Sequence, residues 1–316
     1  MIAVVHDVLP VFLLILTGWL SVHAGWMKVE TGEALGDFVF RIAVPVLLFR
    51  TIAHADVGAG TPVKLWIAYS SGVTVAWTAG HLVATRLFGR DRRSGVIAGV
   101  SSAFANNVFI GLPLVERVVG PQGIVAVSVL LAVHLPLMMV AGTVLMEEAV
   151  RRETGVAGRG VAAILRQTII NLVQNPLIVG LLLGSLMHFS GLPLPALLDT
   201  LTAQIAGIAG PAALLSLGMA LKSYGLSGNL GLSTVIAGLK LLLLPASVWA
   251  FSRALGLTPE WTAAMVLTSS VPTGVNAWLI ANRFGVAQGL AASAITLSTL
   301  FGVATVTFWA ALAGIR

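Results

Sequence analysis

Two long apolar stretches of this chain carry carboxamides where a membrane helix should be greasy. The first reads Ser101-Ser102-Ala103-Phe104-Ala105-Asn106-Asn107-Val108-Phe109-Ile110-Gly111-Leu112-Pro113, and the second Ser269-Ser270-Val271-Pro272-Thr273-Gly274-Val275-Asn276-Ala277-Trp278. A carboxamide both donates and accepts hydrogen bonds. Here the carboxamides stand beside Gly111, Pro113 and Pro272, residues that loosen a helix and free its backbone groups. A freed helix N-terminus presents a positive dipole end suited to a carboxylate, and freed carbonyls suit a cation. The chemistry on offer is therefore non-covalent binding of a small anion. Asn106, Asn107, Thr273, Gly274 and Asn276 are its candidate contacts. Each polar side chain could equally cap its own broken helix, and the two roles are compatible.

Other polar residues fall inside apolar stretches. Lys240 lies mid-segment in Ala237-Gly238-Leu239-Lys240-Leu241-Leu242, whereas Asp7, Asp37 and Asp199 lie near segment ends. An intramembrane cation is costly and is a functional candidate by default. Lys240 is thus a candidate for a substrate anion, or for the carbonyls of a broken helix. His134, two residues before Pro136, is the candidate for proton coupling because its charge changes near neutral pH; a buried neutral ring holding a carbonyl freed by Pro136 is the other reading. Asp37 and Arg41 are spaced i, i+4 and are expected to pair. Arg50 is expected to snorkel to an interface, and Trp26, Trp66 and Trp261 to anchor at interfaces.

The elements that must position these residues follow from composition. Of 316 residues, 57% are hydrophobic and 9% charged, far from the quarter-charged surface of a soluble domain. Apolar stretches long enough to cross a bilayer fall near 5–24, 31–53, 62–88, 92–119, 121–150, 164–190, 195–222, 229–256, 258–284 and 286–314. With the N-terminus outside, eleven basic residues (Lys28, Arg86, Arg90, Arg92, Arg93, Arg151, Arg152, Arg159, Arg166, Lys222, Arg283) lie inside, against Lys64, Arg117, Arg253 and Arg316 outside. The positive-inside rule then predicts ten spans with both termini outside. The net charge of +6 faces anionic lipid rather than nucleic acid. No cysteine is available for disulfides, thiol catalysis or thiolate metal sites.

The two broken stretches lie about 166 residues apart, and each runs on to a Gly and a Gln-Gly pair, Gly120…Gln122-Gly123 and Gly285…Gln288-Gly289. The same shift brings Pro10 onto Pro176, Gly18 onto Gly184 and Pro45 onto Pro211. Five spans per half is an odd number, so the second half must enter from the opposite side. The expected organisation is a first five-helix repeat over 1–150, a cytoplasmic linker over 151–163 and an inverted second repeat over 164–316. A matched pair of Gly/Pro-interrupted spans in two such halves is the sequence mark of a transporter binding site near the midplane.

The pieces Asn106-Asn107-Val108-Phe109-Ile110-Gly111-Leu112-Pro113, Pro272-Thr273-Gly274-Val275-Asn276-Ala277 and Asn175-Pro176 resemble the auxin efflux carrier family, which includes plant PIN-type exporters and bacterial malonate-carrier-like proteins. The chain looks like a bacterial member, lacking a long central loop. The resemblance implies an all-α integral membrane fold like that of sodium–proton antiporters and bile-acid symporters, with broken spans 4 and 9 crossing. It also implies a scaffold of spans 1, 2, 6 and 7, which is the expected homodimer surface, and a transport domain of spans 3–5 and 8–10. In the plant-like pattern a proline stands where this chain has Ala105.

Enzyme classes find no support: the twelve acids are scattered, and H-E-x-x-H, G-x-S-x-G and P-loop motifs are absent. The expectation is a secondary active transporter in the bacterial inner membrane. It would carry a malonate-like or auxin-like mono- or dicarboxylate by alternating access, with no cofactor and with possible coupling to H⁺ or Na⁺. An uncoupled anion uniporter or a channel is the alternative.

Overall fold

Capping chemistry sets where several helices begin. The Oδ1 of Asp91 accepts the Ser94 N–H at 2.6 Å, that of Asn175 the Leu177 N–H at 2.9 Å and that of Asn229 the Leu232 N–H at 3.0 Å. Thr258 does the same for Trp261. Each satisfies an N–H group that the first turn leaves open, and Pro176 and Pro259 follow two of these caps where their missing N–H costs nothing.

The computed structural model of the chain describes residues 2–55, 61–155, 166–167, 170 and 173–314. These form α1 (Ile2–His23), α2 (29–53), α3 (62–87), α4 (92–118), α5 (Pro121–Thr154), α6 (Pro176–Ser190), α7 (Ala196–Tyr224), α8 (230–254), α9 (259–284) and α10 (Gln288–Leu312). Among the described residues no strand forms beyond one isolated bridge. Five helical stretches, Val5–His23, Pro121–Glu153, Ala196–Tyr224, Leu230–Ala254 and Gln288–Leu312, are long and apolar enough to cross a membrane. The linker expected at 151–163 falls mostly outside the described residues. Its first residues belong to α5, where Arg151 and Arg152 both pair with Glu148 one turn back, and the helix ends at Gly155 in the left-handed conformation.

Three π turns sit immediately before prolines: 39–43 before Pro45, 107–111 before Pro113 and 239–243 before Pro245. A proline cannot bond the carbonyl four residues back, and widening the helix by one residue absorbs that loss. The carbonyl that Pro245 leaves open belongs to Leu241, and the Trp309 indole N–H donates to it at 2.9 Å.

Helices meet through small residues, as expected where lipid removes the hydrophobic drive between them. A methyl group at Gly218 of α7 would come 2.0 Å from the Ile15 carbonyl oxygen of α1, and one at Gly18 of α1 would come 2.2 Å from that of Leu215. Gly180 of α6 is equally close to the Pro45 carbonyl of α2, at 2.3 Å. α1 thus lies on α7, and α2 on α6 and α7; α3 packs on α4 and α8, and α5 on α4 and α9.

Three sequence expectations meet the structure differently. Asp37 and Arg41 pair as expected. Arg50 does not snorkel: its guanidinium donates to the Asp199 carboxylate, the Asp199 carbonyl and the Thr202 hydroxyl, tying α2 to α7. Trp261 is no interface anchor but is buried in the core, and the Trp66 indole donates to the Val129 carbonyl at 2.8 Å. Arg50 and Trp66 have internal partners that a span-end position does not reveal.

Candidate functional site

Each of α4 and α9 is two half-helices joined by an extended segment. In α4, Arg92–Ala103 ends, Phe104 and Ala105 leave the helix, and winding resumes at Asn107. In α9, Pro259–Ser270 ends, Val271 turns extended at φ −65°, ψ 159°, and Asn276–Phe284 follows. The two breaks bond to each other. The Asn106 N–H donates to the Pro272 carbonyl at 3.0 Å, and the Gly274 N–H to the Phe104 carbonyl at 2.7 Å, around an antiparallel bridge of Ala105 with Thr273. Much of the backbone freed by one break thus satisfies the other. A methyl group at Gly274 would stand 3.0 Å from the Ala105 carbonyl oxygen, and one at Gly111 2.5 Å from the Thr268 hydroxyl, so both glycines permit the close crossing.

A cavity of about 600 Å³ opens from this crossing. Its inner wall is Ala105, Asn106, Asn107, Gly274, Val275 and Asn276. It runs between α2, α5 and α7 toward one end of the bundle, where Glu33, Asp37, Glu147, Tyr224 and Arg283 border it. Sequence reasoning missed this outer part of the wall. Glu147, just before the linker expected at 151–163, is only partly exposed, and its Oε2 is buried without a hydrogen-bond partner.

The two asparagines of α4 are buried and incompletely bonded. Asn106 Oδ1 accepts the Phe109 N–H at 3.3 Å, capping the second half-helix, while its Nδ2 has no partner. Asn107 Oδ1 receives the Thr268 hydroxyl at 3.1 Å and the Tyr69 hydroxyl at 3.4 Å, and its Nδ2 also has none. Both oxygens are thus engaged by protein and both amide nitrogens are free to donate. A buried donor without an acceptor costs about 1–3 kcal/mol. Both asparagines line one wall of the cavity, with their amide nitrogens buried just beneath its surface.

The remaining sequence candidates divide. Asn276 and Gly274 join Asn106 and Asn107 in the wall. Thr273 stands behind it: its hydroxyl donates to the Ser101 carbonyl and its N–H to the Ser298 hydroxyl, both at 2.9 Å. Lys240 also stands behind it, fully buried, with its ammonium donating to the Ser269 and Val271 carbonyls at 2.6 Å each. Pro272 accepts the Asn106 N–H, and Pro113 follows the π turn that opens at Asn107. His134 is buried edge-on to the Tyr69 and Phe104 rings, with centroids 4.9 and 5.5 Å away, and its Nε2 has no partner. Among the described residues no group of His, Asp and Glu is gathered for a metal ion.

Proteins similar to the chain over nearly its whole length are named as transporters. A protein of Methanothermobacter thermautotrophicus named "Uncharacterized transporter" is 25% identical over 307 residues, covering 96% of each chain. A Rhizobium meliloti protein named "Putative malonate transporter" is 27% identical over 308 residues, covering 95% of this chain and 92% of its own. The uncharacterized transporter YfdV of Escherichia coli K12 is 21% identical over 313 residues, covering 96% of each chain. The model of a family described as "Membrane transport protein" matches residues 3–310. The chain therefore belongs to that family, the auxin efflux carriers, and is a multi-pass membrane transport protein rather than an enzyme.

Proposed function

We propose that the chain is a secondary active transporter of a small carboxylate, most closely a dicarboxylate such as malonate, bound where the breaks of α4 and α9 cross. The observation that carries this reading is the pair of buried, unpartnered amide nitrogens of Asn106 and Asn107 at the inner wall of the cavity. They lie beside the starts of the second half-helices of α4 and α9, whose positive ends favour a carboxylate. Gly274 and Asn276 complete the contact surface, and Lys240, Thr273, Gly111, Pro113 and Pro272 hold the frame. The preference for an anion rests on these groups and not on the mouth, where Glu33, Asp37 and Glu147 stand against Arg283. The name of the Rhizobium meliloti relative supports the substrate class.

The proposed architecture is ten spans in two inverted five-helix repeats, in a bacterial inner membrane with both termini outside. α1, α2, α6 and α7 form the scaffold and homodimer surface, and α3–α5 and α8–α10 move as the transport domain. The mutual packing of α1 with α7 and of α2 with α6 supports that division. With this orientation the cavity faces the cytoplasm, as in an inward-open state. Proton coupling would run through His134, whose ring touches Tyr69, the donor to Asn107.

The test is uptake of labelled malonate into proteoliposomes, with and without preloaded malonate and with and without an imposed pH gradient. Saturable counterflow is expected, and its absence would favour the channel. Asn106→Ala and Asn276→Ala should each weaken uptake with normal expression; wild-type affinity in both would sink the crossover site. His134→Gln should abolish the response to the pH gradient while sparing counterflow.

A further inference from the structure

We infer that the Lys240 ammonium is a tethered cation, seated at the α9 break where a broken-helix carrier otherwise holds a dissolved monovalent ion, so that this protein folds and works without sodium there. The first half of α9 ends at Ser270. The carbonyls of its last turn have no acceptor role within the helix and lie at the negative end of its dipole. Such half-helix ends and unwound carbonyls are the groups that coordinate sodium in transporters of this architecture. Here two of them, Ser269 and Val271, converge on the Lys240 Nζ at 2.6 Å each. Among the described residues Lys240 is the one Lys, Arg, Asp or Glu counted as fully buried.

The other break shows that a charge is not needed merely to satisfy a carbonyl. Ser101 lies 168 positions before Ser269 in the matching Ser-Ser pair, and its carbonyl accepts from the neutral Thr273 hydroxyl at 2.9 Å. The two breaks therefore share a shape and differ in charge: α4 is closed by a hydroxyl and α9 by an ammonium delivered from the π turn 239–243 of α8. Lys240 does not border the substrate cavity, so its positive charge acts on the break rather than on the ligand.

The test needs no substrate and so stands apart from the transport reading. The melting temperature of the purified full-length protein is measured in choline, potassium, sodium and lithium chloride at equal ionic strength. Wild type should melt at one temperature in all four salts. Lys240→Ala should melt several degrees lower in choline and recover saturably with sodium or lithium, because a small hard cation can take the vacated place between the two carbonyls. A sodium-specific gain in wild type, or a folded Lys240→Ala protein that responds to no cation, would overturn the inference. If Lys240→Ala does not fold in any salt, Lys240→Gln decides. Its neutral amide donates to the same carbonyls, so wild-type stability overturns the need for charge, and a large loss of stability upholds it.

Discussion

Replacing Asn106 by alanine should uncouple binding from stability. In the ligand-free protein the side chain makes one long cap, its Oδ1 accepting the Phe109 N–H at 3.3 Å, and buries one amide nitrogen that bonds to nothing. Loss of a cap costs about 0.5–2 kcal/mol, and the length of this one puts it near the lower figure. Removing an unpartnered buried donor returns about 1–3 kcal/mol. The return outweighs the loss by about 0.5–2.5 kcal/mol before the small cavity left by the amide is counted, so the ligand-free variant should be no less stable than wild type. Binding has no such compensation. A hydrogen bond to a charged acceptor contributes about 1.5–3 kcal/mol, which corresponds to malonate affinity weakened about 10- to 150-fold. The assay is thermal unfolding of purified protein in detergent, first without ligand and then across a malonate titration, where the rise in melting temperature reports affinity. Refutation would be a ligand-free loss above about 2 kcal/mol, or an unchanged malonate response. Either result would show that the Asn106 amide already has an acceptor in the empty protein.

Three further predictions separate frame from site. Gly218→Ala drives a methyl group to 2.0 Å from the Ile15 carbonyl and should cost about 3 kcal/mol or more, whereas Gly210→Ala meets only the Pro113 ring at 3.4 Å and should be tolerated; chemical denaturation of both variants checks this. Thr273→Val strands the buried Ser101 carbonyl and should lower stability by about 1–3 kcal/mol while leaving malonate affinity near wild type, a split that the same titration reads. Asp91→Ala removes the α4 cap and should cost about 1 kcal/mol at neutral pH. Partial burial works against the Asp91 charge, but the Ser94 N–H and hydroxyl and the Arg93 and Arg90 charges hold its carboxyl below the usual range. With the folded pKa depressed, that stability is present above the ordinary carboxylate value and is lost as pH falls through the folded one, so variant and wild type should converge below about pH 4.

The sequence showed the breaks because prolines, glycines and asparagines interrupt runs that are otherwise uniformly apolar, and a local signal of that strength survives any tertiary context. That the two breaks cross, which puts Asn106, Asn107, Gly274 and Asn276 on one cavity wall, was implied by the family resemblance and not by the residues alone. Which atoms were already bonded was not legible. Thr273 and Asn276 are three residues apart with similar chemistry, yet only Asn276 reaches the cavity, because the bridge to Ala105 turns the Thr273 side chain toward the Ser101 carbonyl. Lys240 read as a lone charge with two possible partners, and only its distance to Ser269 and Val271 chooses between them. The partnership of Arg50 with Asp199 spans 149 residues and leaves no periodic trace in either segment.

The spacing of the helix contacts bears on how a carrier of this shape could move. Contacts within the proposed scaffold are interlocked: added methyl groups at Gly18, Gly218 and Gly180 would approach backbone carbonyls at 2.2, 2.0 and 2.3 Å. The proposed transport domain is locked in the same way, with Gly72 against Val248 at 2.5 Å and Gly111 against Thr268 at 2.5 Å, and its two breaks are hydrogen-bonded together. Between the two groups the spacing is looser. Gly36 of α2 meets Phe109 of α4 at 3.8 Å, Gly210 of α7 meets Pro113 at 3.4 Å, and the tightest such approach, Gly302 of α10 to the Phe12 ring of α1 at 3.1 Å, is to a side chain and not to backbone. Close-packed, interdigitated surfaces resist sliding because every knob must leave its hole, whereas smooth surfaces at contact distance can shear. The bridge between the breaks adds a second constraint: α4 cannot shift alone without losing the Asn106–Pro272 and Gly274–Phe104 hydrogen bonds, each buried at the crossing. Motion that preserves them must carry α4 and α9 together, and with them the two asparagines and whatever they hold.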